Sequence, residues 1–138
     1  MITVVDVETS WQVTDTGGYD PSPYHPDNIL VSVGINDEYY FTNHSERIDD
    51  GCYHKIQSIL DKTTLLVGHN IKFDLMWLIE AGFKYTGKVY DTMLGEYILN
   101  RGIRKSLTLE MSCRRRRIGS KDNRIKEFTD RGIPFQNI

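Results

Sequence analysis

The chain opens on a β-branched run, Ile2-Thr3-Val4-Val5-Asp6-Val7-Glu8. Polar and apolar residues do not strictly alternate in it, which predicts a central strand covered on both faces. A central strand placed first obliges the rest of the chain to build a sheet around it. Ile29 to Ile35 and Glu38 to Thr42 read as two strands joined across Asn36-Asp37 in a hairpin. Beyond them the pattern turns to alternating helix and strand. Either Asp49 or Asp50 caps a helix running to about Leu60, with Ile56, Ile59 and Leu60 on its inner side. Thr64 to Gly68 is a short buried strand, and a helix follows from about Asn70 to Ala81, stopped by Gly82. Val89-Tyr90 is a brief strand, after which Asp91 or Thr92 opens a helix toward Leu99. Ser106 to about Arg116 and Lys121 to Asp130 predict two more helices. The order implies an α/β fold: a three-stranded antiparallel meander plus parallel strands in one mixed sheet flanked by helices.

A length of 138 residues suits one domain over residues 1–138. Such a chain buries roughly 68% of the surface its unfolded form exposes, enough for a core without staples. No apolar run approaches the roughly 20 residues a bilayer span needs. Met1 to Asp6 lacks the basic flank and long apolar stretch of a signal peptide, which points to the cytoplasm and away from membranes. Cys52 and Cys113 fit no close-spaced metal pattern and read as reduced thiols. Residues 9–28 contain Gly17, Gly18, Pro21, Pro23 and Pro26 and read as a loop. Loops of that length are generally functional or disordered. Charge is uneven: residues 1–69 carry 11 acids and 3 bases, residues 70–138 carry 8 acids and 14 bases. Such asymmetry suits a polyanionic partner on the basic part, although a charge run also serves as a plain solvated face.

Asp6 and Glu8 sit two apart near the end of the first strand, so they share a face with attachment points about 6.6 Å apart. Two carboxylates so placed can reach one divalent cation, and like charges this close otherwise raise one pKa. The carboxyl end of a central strand is where α/β sheets place their sites. Asp-x-Glu alone serves equally well as a turn cap. A second segment is Val67-Gly68-His69-Asn70-Ile71-Lys72-Phe73-Asp74. Here a strand ends, Asn70 can cap the next helix, and Asp74 falls on its inward side beside Ile71 and Leu78, with Leu75 in the stripe and Trp77 flanking it. A carboxylate there needs a partner, because burying an unpaired charge is costly. As isolated residues, Asp74 also fits a salt bridge with Lys72, and His69, Asn70 and Phe73 fit capping and packing.

Together the two segments resemble a specific family. Val5-Asp6-Val7-Glu8-Thr9 is similar to the first motif of the DEDD-type 3′–5′ exonucleases. Gly68 to Asp74 resembles the second motif, in the form found in proofreading domains of family A DNA polymerases. Tyr90 to Leu99, Ser106 to Glu110 and Gly132 to Ile138 resemble later stretches of the same group, in order. The resemblance implies a ribonuclease H-like fold, in keeping with a meander that precedes parallel strands. It implies that Asp6 bridges two metal ions, that Glu8 joins the ion activating the attacking water, and that Asp74 supports the second ion. Thr9, His69, Asn70 and Phe73 would then be substrate-binding, with Asp91 a helix cap. The family's third motif, Tyr-x-x-x-Asp or His-x-x-x-Asp, would lie beyond Ile138, so the chain reads as a truncated domain, one piece of a larger polymerase.

The implied reaction is two-metal-ion hydrolysis of phosphodiester bonds at the 3′ end of a single strand, DNA before RNA, in a bacterial or phage-infected cell. Hard oxygen ligands suit Mg²⁺ or Mn²⁺, two ions about 3.5–4 Å apart in such sites. An acidic centre repels DNA, so positive charge is needed elsewhere; Arg114, Arg115, Arg116 and Arg117 are candidates for phosphate contacts, at most two of them toward one strand. Phe73, Trp11 and Tyr24 are candidates for base stacking. The alternatives are a catalytically impaired nucleic-acid-binding remnant of the fold and an RNA-trimming enzyme similar to ribonuclease D.

Overall fold

Strand β1 (Ile2–Thr9) lies at the centre of a five-stranded sheet of order β5-β4-β1-β6-β7. The computed structural model describes residues 1–42, 48–119, 127, 128 and 130–133. β1 pairs antiparallel with β4 (Leu30–Ile35), which pairs antiparallel with β5 (Glu38–Phe41) across the turn at Asn36 and Asp37. Asn36 takes φ 53° there, a conformation Asn tolerates better than most residues. On the other side β1 runs parallel to β6 (Leu65–Gly68), and β6 to β7 (Lys88–Asp91). The mixed sheet of meander plus parallel strands is the expected one.

Helix α1 (Asp50–Lys62) starts where the Asp49 carboxylate accepts the Cys52 N–H at 3.2 Å, choosing Asp49 over Asp50 as the cap. Helix α2 (Ile71–Glu80) stops at Gly82, whose φ of 94° needs no Cβ. Helix α3 (Thr92–Leu99) is capped by Asp91 and helix α4 (Leu109–Arg116) by Thr108, three residues later than the spacing suggested. The core joins Val5, Val7, Val33 and Ile35 of the sheet to Ile56 and Leu60 of α1 and Ile71, Trp77 and Leu78 of α2. The helix expected over Lys121–Asp130 falls largely outside the described residues.

Two expectations change. β1 is central, but it is not covered on both faces: Thr3, Val5 and Val7 are buried, while Ile2 and Val4 are 64% and 50% exposed among the described residues. The register aligns Asp6 with Gly34 and Gly34 with Tyr39, so these exposed residues share a face with Tyr39 and Phe41, which are equally open. β-branched residues on both faces hid the alternation. The long segment 9–28 is also more than a loop. It contains a small hairpin of β2 (Gln12–Val13) and β3 (Tyr19–Asp20) turning at Gly17. Asn28 Nδ2 donates to the carbonyls of Asp20 and Ser22, Ser10 Oγ accepts the Ile29 N–H at 2.7 Å, and Trp77 Nε1 donates to Pro21 O at 3.0 Å. The indole thus pins this segment to α2. No helix among the described residues is long and apolar enough to cross a membrane.

Candidate active site

Parallel pairing between β1 and β6 ends at Val4 and Val67, whereas β1 runs on to Thr9. The Val7 N–H therefore finds no strand partner beyond the end of β6. Asp74 of α2 takes that place: its Oδ1 accepts the Val7 N–H at 2.9 Å. The buried face of α2, with Ile71, Trp77 and Leu78, carries Asp74 to this point, where it is only 3% exposed. A side-chain carboxylate thus continues the backbone ladder between the two acids of β1.

Electrostatics mark the position. Burial pushes the Asp74 carboxyl from 3.8 up to about 7. The Val7 N–H works against that rise, and the negative charges of Asp6 and then Asp91 add to it. No Lys, Arg or His pairs with Asp74 among the described residues. Asp6 is exposed and Glu8 half-buried, on the same face of β1. The pairing with β4 slips between Glu8 and Thr9, and a slip of this kind bends a strand and re-aims its side chains.

Asp91 bears out its expected cap, accepting the Met93 N–H at 2.8 Å, and does more than its sequence position suggested. The same Oδ1 accepts the Asn70 N–H at 2.9 Å, so one carboxylate ties the start of α3 to the start of α2. Asn70 itself does not cap α2 with its side chain, contrary to expectation. It takes the left-handed conformation at φ 63°, ψ 47°, and its exposed side chain makes no capping bond. Phe73 is half-buried and packs against the core, and Thr9 is half-buried where the pairing slips. Both ring nitrogens of His69 are engaged within the protein, with Thr92 and Leu107.

The arginines divide. Arg115 and Arg116 reach back to Glu96 of α3 at 3.2 and 2.8 Å, and Glu96 is 8% exposed. The Arg116 guanidinium, aided by Arg115, holds the Glu96 carboxyl below its usual range against the opposing effect of burial. These two arginines fasten α4 to α3. Arg114 makes an i,i+4 pair with Glu110, and Arg117 is exposed in the left-handed conformation at the helix end. Arg114, Arg116 and Arg117 are exposed and Arg115 is half-buried, with Arg115 and Arg116 held at Glu96.

The donor set of Asp6, Glu8 and Asp74 is all hard oxygen, and a cation would offset the negative charge that Asp6 and Asp91 add to the burial of Asp74. In that chemical sense the residues fit Mg²⁺ or Mn²⁺. Among the described residues, however, no three His, Cys, Asp or Glu side chains stand close enough to grip one ion as they are. Asp6 and Asp91 both lie close enough to Asp74 to act on its charge.

Residues 14–110 match the family model described as 3′–5′ exonuclease. The match takes in Asp74 and Asp91 and begins after Asp6 and Glu8, which the sheet brings to the same end of the fold. No curated protein matches the chain.

Proposed function

The chain belongs to the 3′–5′ exonuclease family, and on that premise we propose that it removes nucleotides from the 3′ end of single-stranded DNA with two divalent ions, as in polymerase proofreading. The observation that carries the reading is the Asp74 carboxylate, seated on the Val7 N–H between Asp6 and Glu8 and raised to about 7. A carboxylate held at that cost beside a second acid favours a cationic ligand. Asp6, Glu8 and Asp74 would hold Mg²⁺ or Mn²⁺. Such ions, when bound, supply charge neutralisation at a phosphodiester and a more acidic water.

The chain's own residues then have separable tasks. The Val7 N–H orients Asp74, and the Asp91 carboxylate fixes the entry to α2 by holding the Asn70 N–H. Asn70, with its side chain exposed, and Phe73 at the mouth of the site would position the terminal nucleotide, and the backbone near Thr9 would hold its 3′ end. Arg114 and Arg117 would contact phosphates. An association with a polymerase region in a bacterial or phage-infected cell belongs to the same proposal. One observation favours a second reading, nucleic-acid binding with little cleavage: among the described residues no three acids converge.

Release of labelled mononucleotide from a 3′-labelled single strand, in Mn²⁺ and in Mg²⁺, separates the two readings. The parent should release label and Asp6→Ala should not, with the melting temperature rising on Mn²⁺ addition only in the parent. DNA and RNA strands run in parallel decide the sugar preference. An equal metal response in the Asp6 variant overturns the shared site; binding without release leaves the second reading.

A further inference from the structure

Helix α4 carries Arg114, Arg115 and Arg116 and ends at Arg117, and one of the bonds that holds it comes from the edge of the acidic site. His69 stands between the end of β6 and the start of α2. Its Nδ1 lies 2.9 Å from Thr92 Oγ1, and its Nε2 lies 2.6 Å from the carbonyl oxygen of Leu107. Thr92 Oγ1 is in turn 3.2 Å from Gly68 O. Leu107 directly precedes Thr108, whose hydroxyl caps α4 by accepting the Met111 N–H. At the other end of the helix Arg115 and Arg116 grip Glu96. Between α3 and α4 lies a cavity of about 250 Å³, walled by His69, Leu99, Leu109 and Cys113 among others. Leu99 and Leu109 in its wall are 61% and 51% exposed, so the polar ties at its two ends help set where α4 stands.

We propose that His69 is a positioning residue that fixes α4 and its arginines relative to the acidic site, by clamping the Leu107 carbonyl while anchored on Thr92. Bond accounting constrains the ring. A carbonyl only accepts, so Nε2 must carry a proton to make the 2.6 Å bond. Thr92 has one hydroxyl proton. If Gly68 O receives it, Nδ1 donates to Thr92; if Nδ1 receives it, the ring is neutral and Gly68 O loses that donor. In both arrangements the Nε2 proton stays on Leu107. Substrate could reach that nitrogen only by breaking the clamp, so His69 acts through α4. The clamp stands on geometry alone; its consequence for nucleic acid rests on the exonuclease reading.

The test uses the whole chain. Amide hydrogen exchange in His69→Ala should quicken about tenfold or more at Ser112, Arg117 and Ile118, whose N–H groups close α4, and leave β4 and α1 unchanged. His69→Gln, whose amide can still donate to Leu107 O, should recover most of the protection. Nitrogen NMR of the parent should find Nε2 protonated. Binding of a twelve-residue oligothymidylate across a salt series adds the functional readout. The slope of log affinity against log salt should shrink in His69→Ala by about 0.7 for each phosphate that the arginines cease to neutralise. Unchanged α4 exchange in both variants, or an unprotonated Nε2, overturns the proposal. If His69→Ala fails to fold, His69→Gln and the ring spectrum still decide it. A parent that binds no oligonucleotide at any salt refutes the exonuclease reading and leaves the exchange result to judge the clamp.

Discussion

Replacing Asp74 with Asn removes a charge and almost no volume, and the structure sets the consequence. The carboxyl is 3% exposed, accepts the Val7 N–H, and is raised by burial from 3.8 to about 7. A raised carboxyl pKa means that the folded chain holds the proton more tightly than the unfolded chain does. The group therefore costs nothing below about pH 4, and stability falls as pH rises from there through about 7, where the loss is complete. Roughly three units at about 1.4 kcal/mol each place the full loss near 4 kcal/mol. An Asn side chain carries no charge, and its Oδ1 can still accept from Val7. Urea unfolding in the presence of a chelator should find Asp74→Asn about as stable as the parent at about pH 4. At about pH 8 the variant should be more stable by up to about 4 kcal/mol. Adding Mn²⁺ should narrow or reverse that difference, because only the parent gains from binding. An advantage of equal size at both pH values would refute the buried-charge account.

Two further substitutions probe how the site is held. Gly68→Ala would put a Cβ 3.1 Å from Ile71 Cγ1 and 3.2 Å from Val5 O, so it should cost about 1–3 kcal/mol and blunt the Mn²⁺-induced rise in melting temperature by pushing α2 off β1. Trp77→Phe deletes the 3.0 Å bond to Pro21 O and should cost about 1–3 kcal/mol, with amide exchange in residues 10–29 quickening more than elsewhere; uniform quickening would mean that the indole does not pin that segment.

What could be read from the chain was local, and what could not be read was not. Strand and helix order, a cap at Asp49 or Asp50, the Asp91 cap and the Gly82 stop each depend on residues within a turn of one another. The placing of Asp6 and Glu8 on one face follows from the two-residue period of a strand. Asp91 holding the Asn70 N–H joins residues 21 apart, and Glu96 holding Arg116 joins residues 20 apart, so no spacing rule exposes either bond. The arginine run illustrates the cost of that blindness: four adjacent cations suggest a phosphate-binding strip, whereas two of them are committed to Glu96. Asn70 misleads for a different reason. An Asn before a helix suits both a side-chain cap and the left-handed conformation, and here the Asp91 carboxylate supplies the N–H partner and leaves the side chain exposed.

Burying a carboxylate at a cost near 4 kcal/mol requires something larger to oppose it. Ile71, Trp77 and Leu78 flank Asp74 on the same helix face and are each at most 4% exposed. At about 1.5–3 kcal/mol per buried side chain, these three together outweigh the charged form of Asp74. The Val7 N–H adds a charge-assisted bond. Helix α2 thus docks on β1 whether or not a cation is present, and Asp74 is in place before any ligand arrives. What the apolar contacts cannot do is remove the repulsion between Asp74 and the neighbouring Asp6 and Asp91, which remains after the helix has docked. A cation at this end of the sheet would relieve that repulsion directly, with little further ordering of the backbone around Asp74. On this argument the metal response should be found in the charge state of Asp74 more than in a rearrangement of the fold.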